Sequence, residues 1–383
     1  MFRMLFKLNK PAREIILHAG LQKTGSSSIQ DTLFDNFNNS LLEQFNVMYP
    51  KSWGANQSFI IYSAFCDRPE DYHLNIVYGY SKEKIEEINK ANLKKLEDEL
   101  CDRIQKSNCS KIIISAESIS LLTKENLISL KQYLLSVLPK SSFKVMVYVR
   151  NPITWAVSMI QQYIKAFGIG TDYETAVNNV LAVMEAFPAN RIEPLIEAFD
   201  RENVFLYKFE DAAKHAYGLV GHFLSHIGIG ESAIRQLKIH KSNESISLIS
   251  ADILSYMHAK EPIIKNGKRN ENRHFGDIFP LYELTGDKFD VYFHDRVKLF
   301  DQAIEGVKWL KEKWGIHYEL QKPEMYELKV KLSEKNLKEI DQIFPRLQPV
   351  LKELLLDYLN DNMEKVASDL RPYLEELINR NKA

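Results

Sequence analysis

Residues 15–30 read IILHAGLQKTGSSSIQ: an apolar run, Gly20 and Gly25 enclosing Lys23, then Ser26, Ser27 and Ser28. These residue types and spacings suit an anion. The apolar run predicts a strand, the glycine-bounded stretch a turn, and the serines the opening of a helix. A phosphate lodged there would meet backbone N–H groups that have no partner within the helix, the positive end of its dipole, three hydroxyls and one ammonium.

A second basic position follows an apolar strand. In FKVMVYVRNPITWAVSMIQQY, residues 143–149 deliver Arg150 at the strand's C-terminal end, Pro152 can start a helix, and Ser158 lies two turns into it. An arginine at such a strand end can also make an ordinary surface ion pair. Residues 203–208 read as a further strand running into Phe209, Glu210 and Asp211, and VGHFLSHIGIG as a helix ending at Gly228. Two side chains compete as general base. Glu117 stands just past the apolar run 112–116, where a carboxylate could take a hydroxyl proton if the site excluded water; it could equally cap the next helix or pair with a lysine. His18 lies on the first strand near Lys23, where a histidine can also be a satisfied core residue.

The order of residues within the first loop narrows the chemistry. Nucleotide-hydrolysing loops run G-x-x-x-x-G-K-[ST]. Gly20 and Gly25 keep that spacing, but Ser26 stands where the lysine belongs, and Lys23 precedes the second glycine. "HAGLQKTGSSSIQ" is similar instead to the K-T-G-T-T-S form of the 5′-phosphosulfate loop of carbohydrate and bacterial sulfotransferases. "YVRNPITWAVSMIQQY" is similar to that family's 3′-phosphate segment. The resemblance covers about residues 13–316, with specific motifs in the first half. It implies the sulfate donor 3′-phosphoadenosine 5′-phosphosulfate, with no metal required. Gln22, Lys23, Thr24, Gly25, Ser26, Ser27 and Ser28 would hold the 5′ end, and Lys23 would stabilise the leaving phosphate. Arg150 and Ser158 would hold the 3′-phosphate. Phe209, where the family often has tyrosine, would contact adenine or simply pack in the core. "SAES" is similar to the S-x-E of bacterial members, at the place where cytosolic members carry a histidine base. The implied acceptor is a hydroxyl or amine of a carbohydrate or glycoconjugate. A degenerate P-loop nucleotide kinase and a catalytically silent scaffold are the alternatives.

These residues need a frame. Strand-like runs at 14–19, 111–116, 143–149 and 203–208 alternate with helical patterns at 26–38, 83–106, 124–138, 153–166, 173–186 and 218–227. That alternation predicts an α/β fold: a P-loop-like parallel sheet flanked by helices, with ligands gathering at the carboxyl ends of the strands. Residues 47–80 read as a long irregular segment covering the substrate, in which Trp53, Asn56, Gln57 and Tyr62 could stack on and hydrogen-bond to a sugar or merely pack. Lys241 and Asn243 are further polar candidates that could instead cap a helix. Residues 1–316 are expected to form the transferase domain, with a donor-binding core over about 13–230, and 317–383 a helical extension.

Composition excludes several classes. With 383 residues, 45% of them hydrophobic, the chain can bury a large core, and a formal net charge of −1 offers no global field for nucleic acid or an anionic membrane. Anion binding must therefore be local. Cys66, Cys101 and Cys109 are too few for a disulfide framework and are expected as reduced thiols packed like small hydrophobes. No run of eighteen apolar residues exists, and MFRMLFKL lacks a signal-peptide core, so a cytoplasmic protein is expected, with residues 1–8 a tail or a turn touching a membrane surface. The sequence leaves oligomeric state open.

Overall fold

In a computed structural model, residues 13–38, 41–106, 109–165, 170–242, 245–274 and 276–382 are described. Residues 1–8 and Asn243 lie outside them. Five strands form the central sheet: β1 (Glu14–His18), β2 (Val47–Met48), β3 (Lys111–Ser115), β4 (Ser142–Val149) and β5 (Val204–Lys208). All pairings are parallel, in the order β2-β3-β1-β4-β5. The expected α/β class is therefore the observed one. The unbroken apolar runs explain it: Ile15, Ile16 and Leu17 pair with Ile112, Ile113 and Ile114 on one side and with Phe143, Lys144 and Val145 on the other. Ile15–Leu17 and Ile112–Ile114 are fully buried, as strands covered on both faces must be.

The main helices are α1 (Ser26–Asn38), α2 (Ser58–Phe65), α3 (Lys82–Lys106), α4 (Lys124–Val137), α5 (Pro152–Lys165), α6 (Tyr173–Met184), α7 (Ala189–Phe199), α8 (Gly218–His226), α9 (Leu248–Lys260), α10 (Phe293–Trp314), α11 (Glu334–Ile343), α12 (Pro349–Asp361) and α13 (Arg371–Lys382). Local chemistry sets several starts. Thr123, Asp172 and Ser247 cap α4, α6 and α9 with side-chain oxygens, and Ser333 with Asn336 forms a capping box on α11.

Two expectations change. Residues 47–80 are not an irregular cover: they contain β2, α2 and a short helix, His73–Val77, because Val47, Met48, Ile61 and Val77 bury apolar side chains. The helical pattern expected from 317 begins only at Glu334, and residues 315–331 carry no regular element. Downstream, α12 packs on α9 through fully buried Leu351, Leu355 and Leu359, which belong to the same core cluster as the sheet. Of the three thiols only Cys109 is buried; Cys101 is exposed, against expectation.

Candidate active site

The sheet order decides what meets. β1 lies between β3 and β4, so the segments leaving these three strands emerge side by side at one sheet edge. The ladder continues into the first loop: Ala19 N–H donates to Met146 O (3.1 Å) and Ala116 N–H to His18 O (3.1 Å). The loop then folds tightly over itself. A Cβ on Gly20 would fall 2.2 Å from Ser26 Oγ, and one on Gly25, which has φ +81°, would fall 2.5 Å from Leu219 Cδ2. A side chain at either position would have to displace its neighbour, and at Gly25 the left-handed backbone also favours glycine. Lys23 itself has φ 62°. Its Nζ donates to Gln162 Oε1 of α5 (3.1 Å), and Trp155 Nε1 donates to Gln22 O (2.9 Å), so α5 holds the loop from one side.

Arg150 enters from the end of β4. Its Nη1 donates to Ser158 Oγ (3.1 Å) and to Lys23 O (3.2 Å), and its guanidinium carbon lies 5.5 Å from the centroid of the Phe209 ring. Burial pulls the guanidinium below its ordinary pKa, against the opposing pull of Glu210 and Tyr318. Around it, Asn151 N–H donates to Glu210 Oε1 (2.9 Å), and Tyr318 O–H lies within hydrogen-bond reach of Val149 O (2.8 Å) and Glu210 Oε2 (3.0 Å). The arginine, the serine eight residues on and the Lys23 loop thus form one connected group.

A cavity of about 930 Å³ opens over that group. Gln22, Lys23, Gly25, Ser26, Ser27, Ser28, Arg150, Ser158, Phe209, Glu117 and Asn56 all line it. Among the described residues the wall carries Lys23, Arg150 and Lys288 against one carboxylate, Glu117, so it is locally cationic in a nearly neutral chain. Ser26 is 1% exposed and its Oγ has no hydrogen-bond partner among the described residues, an orphaned donor in the floor of the cradle. Glu117 begins a short 3₁₀ turn, Glu117–Leu121, clamped to α2: its N–H donates to Ser58 Oγ (2.9 Å), and Ser118 O–H donates to Ser58 O (2.8 Å).

Other expected residues sit elsewhere. His18 is fully buried: its Nδ1 is 2.7 Å from Ser115 Oγ, its ring packs on Phe223 and Tyr148, and burial holds its pKa down to about 3. It is absent from the cavity wall, because β1 turns it inward behind Gly20. Thr24 is buried with its hydroxyl donated to Leu21 O, so that side chain braces the loop instead of facing the cavity. Trp53 is 3% exposed and donates to Asn92 O (2.9 Å); Gln57 is fully buried, accepting from Ser115 N–H (3.0 Å) and donating to Pro50 O (3.3 Å). Trp53 ties the segment after the edge strand β2 to α3, and Gln57 ties it to β3. They are not wall residues. Tyr62 lines a neighbouring chamber, and Lys241 is exposed.

Sequence reasoning missed His73, Gln162, Ser242, Ser245, Lys288 and Phe289, which also line the cavity. Burial pushes His73 down to about 4, leaving its imidazole neutral at neutral pH. No spacing marks these residues, because they reach the cavity from distant parts of the chain. Only "HKSNES" carried a hint, and there the contact is made by Ser242 N–H, which donates to Ser28 Oγ (3.1 Å).

Among the described residues no group of three His, Cys, Asp or Glu side chains is placed to hold a metal ion, and no helix is long and apolar enough to cross a membrane. No protein-family profile matches the chain, and no curated protein matches it. Among solved structures it is similar to a sulfotransferase from Alicyclobacillus acidocaldarius at 16% identity, over 61% of this chain and 87% of that one, with a TM-score of 0.35. It is also similar to the sulfotransferase domain from the curacin biosynthetic pathway at 11% identity, over 88% of this chain and 98% of that one, with a TM-score of 0.30.

Proposed function

We propose that the chain transfers a sulfuryl group from 3′-phosphoadenosine 5′-phosphosulfate to a hydroxyl, or an amine, of a carbohydrate or glycoconjugate acceptor. The observation that carries this reading is the bonding of Arg150 to both Ser158 and the backbone of Lys23 in one cationic cavity. A single phosphate would need only one of the two basic poles. A donor with phosphates at both ends of a nucleoside uses both, and the Phe209 ring, which lines the same cavity 5.5 Å from the Arg150 guanidinium carbon, offers an aromatic surface for a base.

In this scheme Ser26, Ser27, Ser28 and the first turn of α1 hold the 5′-phosphate, and Lys23 neutralises the charge that grows on it as its bond to sulfur breaks. Arg150 and Ser158 hold the 3′-phosphate. Glu117 takes the acceptor's proton as the acceptor oxygen bonds to sulfur. The residues position and neutralise, and form no covalent intermediate, as in phosphoryl transfer. A cytoplasmic location is part of the same proposal, since the donor is made in that compartment.

The test is turnover. Purified chain, donor and a library of glycosides are incubated and followed by mass spectrometry. Adenosine 3′,5′-bisphosphate released together with a sulfated glycoside supports the reading. ATP consumption in place of donor consumption would make the protein a kinase, and consumption of neither a binding protein. Lys23→Ala should lower transfer by about 10²–10³ without altering thermal unfolding; wild-type turnover in that variant would remove the central assignment.

A further inference from the structure

A second chamber of about 580 Å³ opens off the donor cavity, sharing Gln22, Tyr72, His73, Leu121, Met159 and Tyr163 with it. Its size is that of a small-molecule site. Tyr62, Tyr72, Tyr163 and Trp155 give it flat aromatic walls, and Trp155 is fixed by stacking on Phe187 with centroids 3.9 Å apart. One feature of its wall is electrostatically incomplete. Arg191, the third residue of α7, is partly buried there, and among the described residues no carboxylate ion-pairs with it. The groups that bear on its charge are the phenols of Tyr163 and Tyr62, both pushed further above their ordinary pKa by burial and so neutral. The chamber's other charges do not serve it: Arg68 and Asp71 pair with each other at 2.8 Å, and Asp67 is exposed and acts on Tyr62 and Cys66.

A guanidinium partly withdrawn from water without a counterion carries a desolvation cost, and a ligand that brings the anion offsets part of it. We propose that this chamber binds the acceptor and that Arg191 selects acceptors carrying a carboxylate, with a uronic acid unit as the chemical class: the sugar ring lies on the tyrosines, the carboxylate on Arg191, and a hydroxyl faces the donor cavity. The word acceptor rests on the transferase reading, whereas the carboxylate preference rests on the chamber alone.

Calorimetric titration of the full chain with p-nitrophenyl β-D-glucuronide and with p-nitrophenyl β-D-glucoside tests it, since the two differ chiefly by the carboxylate. Wild type should bind the glucuronide roughly ten-fold or more tightly. Arg191→Gln should abolish the preference by weakening the glucuronide alone. Arg191→Lys, which keeps the charge but loses the two-pronged geometry, should retain part of it. Equal affinities in wild type, a preference surviving in Arg191→Gln, or no binding of either probe would overturn the proposal. Parallel titration with adenosine 3′,5′-bisphosphate separates the two readings: a wild type that ignores the bisphosphate but prefers the glucuronide sinks the transferase reading and leaves the carboxylate site standing.

Discussion

Arg150 is held before any ligand arrives, by Ser158, by the Lys23 carbonyl and by the nearby Phe209 ring. A side chain so oriented has lost little further freedom on binding, which favours affinity. Arg150→Ala should therefore weaken adenosine 3′,5′-bisphosphate by about ten- to a hundred-fold and leave adenosine 5′-phosphosulfate, which lacks the 3′-phosphate, nearly unchanged. Calorimetry giving equal losses for both would refute the assignment. Glu117 invites a different measurement. Glu117→Gln keeps its shape and its place on the clamped 3₁₀ turn but cannot accept a proton, so turnover should fall by about 10²–10⁴ with bisphosphate affinity intact. If activity survives, His73, which lines both chambers as a neutral imidazole, becomes the base to test.

At the scale of elements, the loop after β1 is built by collision avoidance as much as by attraction. At Gly25 a side chain would have to adopt φ +81° and stand 2.5 Å from Leu219. Gly25→Ala should cost at least the ~1–2 kcal/mol of left-handed strain and weaken bisphosphate binding by roughly ten-fold or more as the cradle shifts. Gly54→Ala is the control: φ is +73° there, but nothing lies within 4 Å, so thermal unfolding should register strain while binding does not change. Similar losses of binding in both variants would mean that the close packing against Leu219 is not what shapes the cradle. The short elements between β2 and α3 contribute a different kind of precision. Ser58 of α2 accepts from both Glu117 N–H and Ser118 O–H, so α2, whose Ser58 and Phe59 also line the cavity, sets where the Glu117 backbone stands.

The whole molecule buries ionisable groups it does not pair. His18 and His258 are each held near pKa 3 by burial. Both are neutral in the fold, whereas in the unfolded chain they protonate below about 6.5. The unfolded state then binds more protons, so stability rises with pH across this window and is lost as pH falls from about 6.5 towards 3, by up to ~1.4 kcal/mol per pH unit for each histidine. The melting temperature should be lower at pH 5 than at pH 7, and His18→Asn should flatten that slope. An unaltered slope would place the acid sensitivity elsewhere. Leu351, Leu355 and Leu359 of α12 are buried in the same apolar cluster as the sheet.

The sequence by itself determined the parallel α/β sheet, because Ile15–Leu17, Ile112–Ile114 and the run into Arg150 are apolar without alternation and are separated by helical periods. It also determined the first loop, because glycine spacing, one lysine and three serines form a local pattern whose meaning depends on no distant contact. Tertiary structure decided what local pattern cannot encode. Position along β1 does not say that His18 turns inward behind Gly20, nor does the sequence say that Trp53 and Gln57 are spent tying an edge strand to its neighbours. Arg191 and His73 carry no motif; each becomes notable only because separate helices bring it to a shared wall. Burial and charge pairing are properties of the assembled neighbourhood, so residues whose role rests on an absent partner are legible only in three dimensions.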